Sequence, residues 1–210
     1  MEKTDCNNHL AINPLKNLEK FTVVLASASP RRRELLSMLD IPFEIRPLED
    51  CDETYPADLP PLEISEYLAI KKSNEFYRRF QAESTANILS ITADTMVIVD
   101  GKPIGKPTDY VQAKAMLRTL AGKAHTVVTG VSIRTKNKHL SFSSLSKVEF
   151  AELTDEEIEY YLFKYRPYDK AGAYGIQEWI GAVAIKSIQG SFYNVMGLPV
   201  HRLFNHLKTF

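Results

Sequence analysis

The sequence predicts an α/β fold in which helices pack against a mixed β-sheet, and three observations carry that reading. Residues 88–99 are an apolar, β-branched run of strand character, followed by the hairpin dipeptide Asp100-Gly101. Helix-start signals alternate with the strand-like segments instead of collecting at one end: Ser29-Pro30, Asp109, and the capping box opened by Thr154 with Glu157. The composition, 44% hydrophobic and 25% charged, is that of a globular domain with enough apolar material for a core. Interleaved strands and helices together with hairpins indicate a mixed sheet.

Taken in order, residues 21–26 read as a short buried strand that Ser27-Ala28-Ser29-Pro30 breaks. A helix through Leu35, Leu36 and Leu39 follows, then an irregular acidic stretch over 40–58. A second helix is expected over 62–80, with Ile64, Tyr67, Leu68 and Phe76 on one stripe. After the 88–99 strand, Asp109 caps a helix through Met116, Leu117 and Leu120 that Gly122 ends. Strands over 126–134 and 140–150 join around Asn137, and a helix runs through Ile158, Tyr161 and Leu162. A polar loop over 166–177 leads to a strand near Val183, and a short helix starts at Pro199. The expectation is one domain over 21–210, preceded by a polar extension over 1–20.

Charge and cysteine content exclude several classes. Lys plus Arg number 26 and Asp plus Glu number 26, so the chain lacks the basic excess of a nucleic-acid or anionic-membrane binder. Any anionic ligand must be met by locally gathered charge. Cys6 and Cys51 lie far apart and outside any metal-binding spacing, which speaks for a reducing compartment. The leading twenty residues have no signal-peptide pattern, and no run approaches the roughly 20 apolar residues of a membrane span. A cytoplasmic protein is expected, with a homodimer left open. His125, His139, His201 and His206 lack metal-ligand spacing and read as structural or exposed.

The chemistry-bearing residues fall into five groups. Ser27-Ala28-Ser29-Pro30-Arg31-Arg32-Arg33 joins a strand to a helix, and a helix N-terminus with hydroxyls and guanidinium groups suits phosphate. It is no Walker A loop, because the glycines are missing. Asp50, Asp52 and Glu53 form an acidic loop that could share a magnesium ion with substrate phosphates, although such loops are more often only solvated. Asp94 in Ala93-Asp94-Thr95 lies within the apolar strand, where a carboxylate is costly unless paired, metal-bound or turned to a cleft. Lys72 and Lys106 could neutralise phosphate or be ordinary surface lysines. The segment Asp169-Lys170-Ala171-Gly172-Ala173-Tyr174-Gly175-Ile176-Gln177 permits close backbone approach, and a Gln amide can pair with both donor and acceptor edges of a base.

In this order the segments resemble the Maf family of nucleoside triphosphate pyrophosphatases. The markers are Leu25-Ala26-Ser27-Ala28-Ser29-Pro30-Arg31-Arg32, Ala93-Asp94-Thr95, Gly105-Lys106-Pro107, the segment ending at Gln177, and Gly197-Leu198-Pro199. The resemblance implies an elongated mixed sheet flanked by helices, with two lobes and a central cleft, shared with inosine triphosphate pyrophosphatases. It implies water attack on the α-phosphorus with a divalent cation, magnesium or alternatively manganese. In those terms Asp94 accepts the proton of the attacking water and touches metal, and Glu53 holds the metal with Asp52 as the alternative. Lys72 and Lys106 neutralise the triphosphate with help from Ser27, Ser29 and Arg32, while Arg31, Thr95 and Gln177 select the base. The intact Gly175-Ile176-Gln177 points to dTTP and UTP; alternatives are 7-methyl-GTP, deaminated purine triphosphates, or a non-catalytic nucleotide sensor tied to septum formation. Glu178 stands where the family pattern leads one to expect a glycine.

Overall fold

A computed structural model describes residues 13–80 and 87–210. Its centre is the strand β3 (Ile88–Val99), which the apolar run foretells residue for residue. On one side β3 pairs antiparallel with β5 (Ala124–Arg134), which pairs with β6 (His139–Phe150), which pairs with β7 (Ile185–Gln189). On the other side β3 pairs parallel with β1 (Thr22–Leu25), itself paired parallel with the two-residue β2 (Glu44–Ile45). The short β4 (Lys102–Ile104) returns from the Asp100-Gly101 turn onto the same side of β3. Both turn residues take positive φ, 51° and 74°, as a two-residue hairpin requires. The result is a mixed seven-stranded sheet.

Strand alternation divides β3 between two layers. Leu89, Ile91, Ala93, Val97 and Val99 enter the main core, together with Leu117 and Leu120 of α3 (Tyr110–Leu120), Ile158 and Leu162 of α4 (Asp155–Tyr165), and Leu203 and Leu207 of α7 (Val200–Lys208). Met96 and Ile98 turn to the opposite face, where α2 (Ile64–Arg79) lies with Ile64 and Leu68. The remaining helices are α1 (Pro30–Ser37), α5 (Trp179–Ala184) and α6 (Phe192–Met196).

Of the expected α2 stripe, Ile64, Leu68 and Phe76 are buried and only the fourth member turns outward. Tyr67 is exposed, and Ser65, Ala69 and Ser73, one turn apart, are the fully buried small residues. Ser65 Oγ donates to the Val128 carbonyl at 3.0 Å, and Thr92 Oγ1 donates to the Ala69 carbonyl at 2.7 Å. Gly130 completes the close approach, since a Cβ there would stand 2.3 Å from the Ser65 carbonyl carbon. Hydrophobic periodicity gives weight to large apolar residues and leaves small polar ones without a signal.

Two further differences concern the ends of the chain. Residues 179–184, read as a strand near Val183, form α5, and the strand begins only at Ile185. A six-residue apolar segment cannot be sorted by periodicity. Here the turn presses Gly181 so tightly on Ile176 that a Cβ would lie 1.8 Å from the Ile176 carbonyl oxygen. At the other end a 3₁₀ turn, Lys16–Leu18, already buries Leu15 and Leu18, and Asn17 Nδ2 donates to the Leu207 carbonyl at 2.9 Å. Residues 13–20 of the expected extension therefore pack on the domain; residues 1–12 lie outside the described residues. Among the described residues no helix is long and apolar enough to cross a membrane.

Candidate active site

The cleft arises from a gap in the sheet. The β1 side of β3 is paired at Ile88 to Ile91 by β1 and at Val97 to Val99 by β4, with nothing between in the ladder. Ala93, Asp94 and Thr95 fall in that interval, held only from the far side by β5. Because β1 ends at Leu25, the chain leaves the sheet there and turns through Ser27 to Ser29 into α1. A cleft of about 360 Å³ opens at this point, lined by Ser27, Ser29, Arg31, Arg32, Glu53, Lys72, Asp94, Thr95, Lys106 and Gln177 among others. Every residue to which the family resemblance assigns a role, save the alternative Asp52, lines this one cavity; Arg33 and Asp50 do not.

Asp94 and Thr95 point to opposite faces, and each face contributes a different part. On the α2 face, Asp94 is 8% exposed and accepts a hydrogen bond from Lys72 Nζ at 2.6 Å. The same ammonium donates to Glu53 Oε1 at 2.8 Å, so one lysine joins two carboxylates from different segments. Gly130 is the cross-strand partner of Asp94, and the close seat it allows α2 brings Lys72 within reach. Partial burial would raise the Glu53 carboxyl, but the Lys72 hydrogen bond and the charges of Lys72, Lys106 and Arg32 hold it below its usual range. Asp52 turns elsewhere: it bonds Lys71 Nζ at 2.7 Å and the Thr54 backbone N–H at 2.8 Å, and its carboxyl sits low, at about 2. Of the two acidic residues, it is Glu53 that lines the cleft.

On the other face, Thr95 Oγ1 accepts from Arg32 Nη2 at 3.1 Å and lies 3.0 Å from Thr129 Oγ1. Arg32 also donates through Nε to the Gly197 carbonyl at 3.0 Å and through Nη1 to Ser27 Oγ at 3.4 Å. All three acceptors are neutral. Burial, opposed by the field of Asp94, draws the Arg32 guanidinium below its ordinary value. Ser29 caps α1, its Oγ accepting from the Arg32 backbone N–H at 3.5 Å. The first turn of that helix, Pro30 to Arg32, lines the cleft.

The third wall is the segment 169–177. Arg31 Nη1 donates to Asp169 Oδ2 at 2.8 Å across the cleft mouth. The Gly172 N–H donates to the Gly105 carbonyl at 3.0 Å, which fastens this segment to the Lys106 turn. Lys106 Nζ stands 3.8 Å from Glu53 Oε2 and remains more than half exposed. Gln177 is exposed at the rim. Five cationic side chains thus face three carboxylates in this cavity: Arg31, Arg32, Lys72, Lys106 and Lys170 against Glu53, Asp94 and Asp169. The local excess is what a neutral chain needs to bind a polyanion.

The family described as Maf-like protein matches residues 22–210. The chain belongs to the Maf family. It is 56% identical over 196 residues to a dTTP/UTP pyrophosphatase of Porphyromonas gingivalis, covering 93% of this chain and 98% of that one. It is 54% identical to the dTTP/UTP pyrophosphatase of Parabacteroides distasonis, covering 93% and 100%. At 44% identity it matches the Flavobacterium psychrophilum protein of the same name, covering 91% and 96%.

Within this Maf chain the structure adds residues that the sequence left without a role. Lys170 is 8% exposed, and its Nζ lies 2.8 Å from Asp169 Oδ1 and 3.0 Å from Glu178 Oε1. Tyr161 of α4 donates to Glu178 Oε2 and accepts from the Gly175 N–H at 3.1 Å. The only advance signal was Glu178 in place of the expected glycine. Asn194 is fully buried and donates through Nδ2 to the Val127 carbonyl and Ser146 Oγ, while its backbone carbonyl accepts from Thr129 Oγ1, fixing α6 behind Thr95. His125, expected to be structural, is buried with Nε2 2.8 Å from Tyr174 Oη.

Proposed function

We propose that this chain hydrolyses the α–β anhydride of nucleoside triphosphates, prefers dTTP and UTP, and releases nucleoside monophosphate and pyrophosphate. The observation that carries this reading is the Lys72 ammonium shared by Asp94 and Glu53 at the gap in the sheet, opposite a helix N-terminus and Arg32. A triphosphate laid across the gap meets cations on both sides: Arg32 and the start of α1 on one, Lys72 and Lys106 on the other. These charges offset the repulsion that a polyanion presents to an incoming water. Asp94, largely buried and directed into the cleft, orients that water and takes its proton. No side-chain nucleophile is needed, and Ser27 and Ser29 serve as phosphate-facing hydroxyls.

The donor set fits a magnesium or manganese ion. Glu53 and Asp94 supply two carboxylates at one point, and hard cations of this kind share one or two carboxylates with substrate phosphates. Among the described residues no group of three or more His, Cys, Asp or Glu that could hold a metal gathers, so Glu53 and Asp94 are the residues that would hold the ion beside substrate. When bound, the cation draws charge from the phosphate oxygens. The names of the relatives support the choice of dTTP and UTP. Arg31, Thr95 and Gln177 line the same cleft, and the exposed Gln177 amide can read the carbonyl and N–H edge of uracil or thymine.

Pyrophosphate release from dTTP, UTP, CTP, 7-methyl-GTP and ITP, with and without magnesium, tests the reading. Metal-dependent release fastest with dTTP and UTP is expected. Preference for a purine would discard the base assignment and keep the chemistry, and nucleotide binding without any release would discard the chemistry.

A further inference from the structure

We propose that Glu178 and Tyr161 are positioning residues for base selection, a latch that holds the segment carrying Gln177 in its reading posture. The inference rests on the base-reading role proposed above for Gln177.

Four observations carry it. A chain of alternating charges runs inward from the cleft mouth: Arg31 to Asp169 at 2.8 Å, Asp169 to Lys170 at 2.8 Å, Lys170 to Glu178 at 3.0 Å. It ends at the fully buried Tyr161, whose hydroxyl donates to the second Glu178 oxygen and accepts the Gly175 N–H. These contacts lie on both sides of Gln177 in the chain, at Gly175 and at Glu178, so the peptide bearing the amide is pinned front and back. Next, the ends of Glu178 and Lys170 lie directly over Gly175, where a Cβ would stand 2.8 Å from Glu178 Cδ and 3.0 Å from Lys170 Cε. The latch is therefore closed over the backbone of the reading segment.

Glu178 also occupies the residue before α5 but makes no capping bond there. A side chain at that position ordinarily serves the helix's free N–H groups; this one turns back to Lys170 and Tyr161 instead. Burial first, then the Glu178 contact, raise the Tyr161 phenol above its ordinary value, so it stays protonated and donates. Finally, both Glu178 and Tyr161 lie outside the cleft lining, while their partners Lys170 and Gly175 belong to it. Their effect on a bound base must pass through the segment they hold.

The test compares dTTP and CTP kinetics for Glu178→Ala, Glu178→Gln, Tyr161→Phe and Gln177→Ala, with thermal melting of each. Expected is a fall of about fivefold or more in the dTTP-over-CTP ratio of kcat/KM for Glu178→Ala and Tyr161→Phe, through KM for dTTP, with kcat held within about twofold. Glu178→Gln keeps an acceptor for Tyr161 and should restore most of the ratio. Tyr161→Phe removes a single oxygen and keeps the test alive should Glu178→Ala fold poorly. A ratio unchanged in both Tyr161→Phe and Glu178→Ala, whatever the melting temperature, while Gln177→Ala lowers it, overturns the latch alone. A ratio unchanged in Gln177→Ala as well overturns the base-reading role and the latch together.

Discussion

Replacing Asp94 by Asn separates the chemical role of this residue from its structural one. The side chains of Asp94 and Lys72 are 11% and 12% exposed, and removing one partner of such a pair generally costs about 3–5 kcal/mol because the other charge is stranded. Here Lys72 is not stranded: Glu53 Oε1 remains 2.8 Å away, and the Asn carbonyl still accepts its hydrogen bond. The expected loss of stability is therefore smaller, about 1–2 kcal/mol, which for a chain of this size lowers Tm by about 2–8 °C. The effect on turnover is of another order. Loss of a general base costs about 10²- to 10⁴-fold in rate, equivalent to roughly 3–5 kcal/mol of barrier. Steady-state pyrophosphate release measures the second quantity, calorimetric binding of dTTP shows that the cleft still fills, and thermal melting measures the first. A variant that folds, binds and turns over within about tenfold of the parent would refute the role given to Asp94.

Other predictions follow from the same geometry. Arg32→Lys keeps the charge but loses the fork that meets Gly197, Ser27 and Thr95; urea denaturation should show a loss of about 1–3 kcal/mol, and KM for dTTP should rise. Gly130→Ala forces a Cβ to 2.3 Å from the α2 backbone, so it should destabilise by about 1–3 kcal/mol or more and lower kcat by displacing Lys72; full activity would show that α2 can yield without consequence. Burial lowers His125 from 6.5 to about 4, so the fold favours its neutral form. Charging it in the folded state costs roughly 3 kcal/mol, a penalty absent above pH 6.5 that grows as pH falls from 6.5 to about 4; His125→Gln should flatten the pH dependence of urea stability in that window.

The parts of the fold legible in the sequence are those fixed by local chemistry. The β3 run, its hairpin turn, the Ser29 and Asp109 caps and the Thr154 capping box each depend on a few adjacent residues, and each forms as expected. Asp94 was legible for a related reason: a carboxylate within an apolar strand needs a partner or a cleft, and it has both. What stayed hidden depends on register and on long-range contact. The gap on one side of β3 exists because β1 stops at its pairing with Ile91 and β4 starts at Val97, and neither limit is written in either strand alone. The seat of α2 relies on Ser65, Ala69, Ser73 and Gly130, small residues that carry little weight in a hydrophobic pattern. Glu178 looked like a departure at the base end of the site, but its meaning required Lys170 and Tyr161 to be brought beside it by the turn into α5.

Under the proposed function, water directed by Asp94 attacks the α-phosphorus and expels pyrophosphate. Hydrolysis of dTTP in oxygen-18-enriched water, followed by mass spectrometry of both products, tests it most directly. The heavy oxygen is expected in dTMP alone; label in the pyrophosphate would place the attack on the β-phosphorus and contradict the account.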